Sequence, residues 1–136
     1  MAFLAIALLS LVAIVFASTA SISGPRTATV GQLVTVKASD LRAGQYQLFL
    51  ATPYDDDAKP GQTTQCTGTV SAPMDARGTA SFSGRIPHTL RCRAYLTPTG
   101  TRAVTPGNYD FEVYSPLGDR LSRHLADVIV PVRIEK

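Results

Sequence analysis

Four consecutive residues, Tyr54-Asp55-Asp56-Asp57, hold the densest charge in the chain. Carboxylates this close can share calcium, a hard cation that collects oxygen ligands, so Asp55, Asp56 and Asp57 are candidate metal ligands. A calcium loop spaces its carboxylates at alternate positions. Here they are consecutive, which also fits a solvated turn ahead of Lys59-Pro60-Gly61. Cys66 and Cys92 are the two cysteines. In an exported domain such a pair reads as one disulfide, with free thiols or a shared metal as the alternatives. No C-x-x-C or H-x-x-x-H spacing accompanies them, so the pattern of a zinc site is missing.

Nucleophilic catalysis would need a hydroxyl or thiol beside a base. There is no G-x-S-x-G, and Ser83-Gly84 reads as the end of a strand. His88 follows Pro87 in a loop and His124 closes the polar stretch Arg120 to His124, so both read as surface histidines. No phosphate-cradling glycine loop appears. The expectation is a protein with no catalytic residues and no cofactor. Tyr54, Tyr95 and Tyr114 are the aromatics available for a sugar- or protein-contact surface, against the simpler reading of packing along strand faces.

At 136 residues the chain fits one domain. The net charge is +3, and the arginines are scattered singly from Arg26 to Arg133 apart from Arg91 and Arg93. A nucleic-acid surface would gather them on one face with aromatic platforms between, so no nucleic-acid partner is expected.

The elements that must position these residues are strands. From Thr27 onward polarity alternates with a period of two. Val34 and Val36 oppose Thr35 and Lys37, and Tyr46, Leu48 and Leu50 oppose Gln47 and Phe49. Ala80 and Phe82 face inward, as do Cys92, Ala94 and Leu96 against Arg91, Arg93 and Tyr95. Tyr109, Phe111 and Val113 are expected inside, with Asp110 and Glu112 outside. The last run offers Val128, Val130, Val132 and Ile134, while Pro131 lacks an amide donor and marks an edge or a bulge. Turn signals fall at 42–44, 59–61, 76–78, 98–100, 106–108 and 117–119. Seven or eight such strands with no helical period predict a mainly β body, an antiparallel sandwich.

Val30-Gly31-Gln32-Leu33-Val34-Thr35-Val36 resembles the opening strands of bacterial and archaeal immunoglobulin-like domains. Pro106-Gly107-Asn108-Tyr109-Asp110-Phe111-Glu112-Val113-Tyr114 resembles their late P-G-x-Y strand. The resemblance implies an immunoglobulin-like antiparallel β-sandwich over 25–136.

Ahead of it, Met1 to Ala17 carries Ser10 as its sole polar side chain, and the first charge is Arg26. As a helix, Met1 to Ile22 would span about 33 Å, enough to cross a hydrocarbon layer. Gly24-Pro25 would stop it, giving an N-terminal hydrophobic α-helix over 1–24. Three readings compete. One is a signal peptide cut after Ala17 or Ala20, although the usual basic start is absent. Another is a permanent anchor, again without a charge to orient it. The third is an assembly helix, apolar on every side, with Ala13, Ala17 and Ser21 as a small-residue stripe for close helix packing.

That segment resembles the N-terminus of type IV pilin-like subunits. Ala5 stands where bacterial pilins usually carry glutamate, and archaeal pilins, which often lack it, place a β-sandwich after the helix. The resemblance implies a structural subunit of an extracellular, cell-surface filament. Leu4, Leu8, Leu9, Leu11, Val12, Ala13, Val15, Phe16 and Ala17 would form the assembly helix, self-associating in the core after a stay in the membrane. The alternative is a secreted or membrane-anchored immunoglobulin-like binding or adhesion module whose signal is removed.

Overall fold

The computed structural model describes residues 21–115 and 128–136. The assembly-helix residues from Leu4 to Ala17, His124 and the turn at 117–119 lie outside the described residues. Within them the protein is mainly β and no helix is present. The strands are β1 (Ser21–Ser23), β2 (Thr27–Thr29), β3 (Leu33–Ala51), β4 (Gln65–Thr69), β5 (Met74–Arg85), β6 (Thr89–Ala94), β7 (Thr97–Ala103), β8 (Gly107–Tyr114) and β9 (Val128–Glu135).

The 19-residue β3 organises them. Its first part pairs with β1 and β5, and its last five residues pair with β4 and β8. It therefore belongs to two sheets, a smaller one ordered β1-β3-β5 and a larger one ordered β2-β9-β8-β3-β4-β6-β7. Between the two parts the β3–β5 register slips twice, between Ala38 and Leu41 and again before Gly44, and Asp40 takes a φ of 58°. Bulges bend and twist a strand, which lets one chain segment pass from sheet to sheet.

One apolar core joins the two sheets. Val34, Val36, Ala38 and Phe82 come from the smaller sheet. Leu48, Leu50, Leu90, Phe111, Val113 and Val132 come from the larger. The inward set of each strand follows the predicted alternation at 34 and 36, at 46, 48 and 50, and at 109, 111 and 113. At Gly84, opposite Val34, a Cβ would run into the Val70 backbone, so the sheets meet there too closely for any side chain. Tyr109 is the third residue of β8, and its hydroxyl donates to the Thr105 carbonyl at 2.8 Å while accepting the Thr105 amide at 3.1 Å. This tie is the physical content of the Pro-Gly-x-Tyr phrase, a tyrosine fixing the corner from which its own strand starts.

Several expectations are corrected. Ser21–Ser23, assigned to the hydrophobic helix, form β1 against Lys37 to Ser39, because alternate placement lets Ile22 pack on the core. The turn signals at 42–44 and 76–78 do not reverse the chain. Both are irregular stretches of the same β3–β5 ladder, where Leu41 faces Gly78 and Gly44 faces Ala76. Pro98 and Gly100 lie inside the edge strand β7, and the reversal falls earlier, at Tyr95-Leu96. Leu96 consequently leaves the strand and is 50% exposed instead of facing the core. One pairing is parallel: β2 lies beside the end of β9, from Arg133 to Glu135. Pro131 precedes that stretch and faces β8 through Asp110, so its missing amide donor falls on the open side.

Candidate functional site

The outward face of the larger sheet departs most from a solvated strand face. Pairing aligns its side chains in rows. Glu112, Phe49 and Thr69 form one row, and Asp110, Ala51, Thr67, Arg91 and Thr101 a second. Gln65, Arg93 and Pro98 form a third. On this face Ala51, Gln65, Glu112 and Tyr114 are buried even though they point away from the main core. The sheet thus packs on both sides around β8, β3 and β4.

A polar relay crosses that packed area. Gln65 Nε2 donates to Glu112 Oε1 at 3.0 Å and to the Thr52 carbonyl at 3.1 Å. Gln65 Oε1 accepts from Arg93 Nη2 at 3.1 Å. Glu112 Oε2 is buried and has no hydrogen-bond partner among the described residues. Burial pushes the Glu112 carboxyl up to about 7, with the charge of Asp110 adding to the rise; the hydrogen bond from Gln65 and the charge of Arg93 oppose it. Burial also raises the Asp110 carboxyl above its ordinary value. Beside the relay, Phe49 and Tyr114 stack with centroids 4.2 Å apart and planes 5° from parallel. Tyr114, a candidate contact aromatic, instead follows the simpler reading of strand-face packing and is buried against Phe49. Glu112 was expected to be solvated outside its strand; it too is buried, at 2% exposed. In both cases the alternation gives the correct face but not what covers it.

Toward β6 and β7 the same face opens into a groove of about 780 Å³. Phe49, Thr67 and Thr69 line it from β3 and β4; Arg91 and Arg93 line it from β6; Leu96, Pro98 and Thr101 come from the β6–β7 hairpin. The Cys66–Cys92 disulfide joins directly opposed residues of β4 and β6 and locks these two strands under the groove. Both cysteines are buried on the core side, and Cys92 borders the groove. Among the described residues no cysteine is free.

The hairpin that raises the groove's outer wall is strained. Tyr95 has a φ of 59°, a left-handed conformation that costs a bulky side chain roughly 1–2 kcal/mol. The Thr64 hydroxyl holds it by accepting the Tyr95 amide at 2.9 Å. Thr64 is fixed in turn by donating to the Arg93 carbonyl at 3.0 Å. The volume of the groove falls in the range of small-molecule sites, about 300–1,000 Å³.

The other sequence candidates do not converge. Asp55 Oδ1 accepts the Asp57 amide at 3.0 Å, capping its own turn. Among the described residues no group of three His, Cys, Asp or Glu side chains is placed to hold a metal ion. Ser83 Oγ lies 2.8 Å from Thr35 Oγ1 on the exposed face of the smaller sheet. His88 is exposed in the β5–β6 connection and shares no hydrogen bond with Ser83. The groove itself went unread in the sequence. Its one linear sign is the pair Arg91 and Arg93, two cations on the same face of a strand whose other face carries Cys92.

The chain matches no family model, and no curated protein matches it. Among solved structures it is similar to macromomycin, with 18% sequence identity and a TM-score of 0.49 over 85% of this chain and 96% of that one.

Proposed function

We propose that the chain is an exported binding module with an immunoglobulin-like β-sandwich, and that the groove beside β6 is its ligand site. The observation that carries this reading is a formed groove whose walls combine the Phe49 ring, threonines and two guanidinium groups over a disulfide-locked strand pair. Small-ligand sites have this character, a largely apolar surface with a few fixed polar groups. The disulfide supports an extracellular location, since such bonds persist in oxidising compartments. The tyrosine tie at Tyr109 and a strand shared by two sheets support the immunoglobulin-like topology. No catalytic step and no cofactor belong to this reading.

The test is a fragment screen by saturation-transfer NMR on the full chain and on a Thr67→Trp variant, in which the indole fills the groove. Hits that bind the parent and are lost in the variant support the module. Hits that bind both equally, or none at all, reject it.

A second reading keeps the filament subunit, favoured by one feature, the uncharged run from Met1 to Ala17. In that case Leu4 to Ala17 bundle as apolar helices and the sandwiches form the sheath. Ala13→Trp or Leu9→Arg then abolishes filaments on the cell surface while the β domain still folds. Filaments persisting in both variants reject this reading.

A further inference from the structure

We infer that the groove takes a small amphipathic anion, a flat apolar body carrying one carboxylate or sulfonate that is clasped by Arg91. The inference rests on the groove being a ligand site and adds the class of ligand.

The two guanidinium groups are not equivalent. Arg93 is half-buried, donates to Gln65 Oε1, and feels Glu112 at the other end of the relay. Arg91, two residues earlier on the same face, is exposed, and its side chain makes no hydrogen bond or ion pair among the described residues. A planar guanidinium presents paired donors that match the two oxygens of a carboxylate or sulfonate. Thr67 and Thr101 lie directly across the ladder from Arg91 on either side, so hydroxyl donors flank it. The carboxylates of this face, Asp110 and Glu112, stand on β8, with β3 and β4 between them and β6. The groove side of the face therefore bears net positive charge, with no carboxylate on β4, β6 or β7. A cation would meet two like charges, whereas an anion is complemented.

The apolar half of the ligand follows from the rest of the lining. The Phe49 ring, held by its stack on Tyr114, forms one wall, and Leu96 and Pro98 form another. Leu96 sits 50% exposed at the hairpin tip, a position that leaves its apolar surface to water unless something covers it. A flat body of one or two fused rings fits a groove of about 780 Å³.

The probes are 1-anilinonaphthalene-8-sulfonate and its uncharged counterpart N-phenyl-1-naphthylamine, titrated by fluorescence into the full chain. The variants are Arg91→Gln and the groove-filling Thr67→Trp. Arg91 is exposed, and an unchanged thermal transition in Arg91→Gln verifies its fold. The expected result is at least tenfold tighter binding of the sulfonate than of the neutral probe. That preference vanishes in Arg91→Gln, and both probes are lost in Thr67→Trp. Equal binding of the two probes, unaffected by Arg91→Gln but lost in Thr67→Trp, overturns the anion inference and leaves the groove as an apolar ligand site. Binding that survives Thr67→Trp, or no binding of either probe, overturns both.

Discussion

A carboxylate on the outward side of a strand is usually ionised because water solvates it. Glu112 is on the outward side and yet enclosed, with one hydrogen bond at Oε1 and none at Oε2 among the described residues. Its proton is therefore held to a higher pH in the folded chain, near 7, than at its ordinary value of 4.5. The folded form binds the extra proton, so the contribution is fully present below about pH 4.5, falls as pH rises through the window, and is gone above about 7. At about 1.4 kcal/mol per pH unit of difference, the loss across the window is at most roughly 3–4 kcal/mol. Glu112→Gln keeps the shape without the charge. Urea unfolding from pH 4.5 to 8 should show the variant about 1–3 kcal/mol more stable than the parent at pH 8 and nearly equal at pH 4.5. A smaller slope of the same sign remains from Asp110, whose carboxyl burial also raises. Identical slopes in the two proteins would remove Glu112 as the cause. The sequence placed Glu112 on the right face through alternation with Phe111 and Val113. That alternation carries no information about Gln65, 47 residues earlier, which donates to its carboxylate.

At the scale of elements, the long β3 shows where a linear reading succeeds and where it stops. Val34 and Val36, then Tyr46, Leu48 and Leu50, mark two inward runs, and both are correct. Arg42-Ala43-Gly44 between them reads as a reversal because glycine and small residues interrupt the period. In the fold the interruption is a pair of register slips that carry one strand from one sheet to the other. A turn and a crossing use the same residues, and only the partner strand distinguishes them. Gly84 is the counterpart on β5, where the sheets approach through the Val70 backbone. Gly84→Ala has nowhere to put its methyl group without moving that backbone, and should cost more than about 2 kcal/mol of stability by chemical denaturation. A loss under about 0.5 kcal/mol would contradict the close approach. The disulfide is an element-level device as well. It spans 26 residues and ties β4 to β6, so replacing both Cys66 and Cys92 by alanine should lower stability by about 3–4 kcal/mol. Denaturation midpoints of the double variant and of the reduced parent, falling together, would verify it.

The whole molecule divides into a conventional inner core and an outer face that is packed at one end and open at the other. Alternation made the core legible, because every inward run repeats the same pattern. The groove was not legible, since its residues come from β3, β4, β6 and the β6–β7 hairpin and share no spacing. Arg91 and Arg93 were visible as a pair, but without the pairing of β6 to β4 and β7 they point at nothing in particular. β7, exposed along its length, carries Pro98 and Arg102 and a register slip opposite Cys92 to Arg93, features that discourage edge-to-edge pairing. Ligand chemistry is proposed for this face, next to the relay, and for no part of the smaller sheet. The most direct test is amide and methyl chemical-shift mapping of the full chain titrated with 1-anilinonaphthalene-8-sulfonate. The expected shifts concentrate at Phe49, Thr67, Arg91, Leu96 and Thr101, with Thr35 and Ser83 on the smaller sheet unmoved. Shifts centred on Thr35 and Ser83, or spread evenly over both sheets, would contradict the proposal.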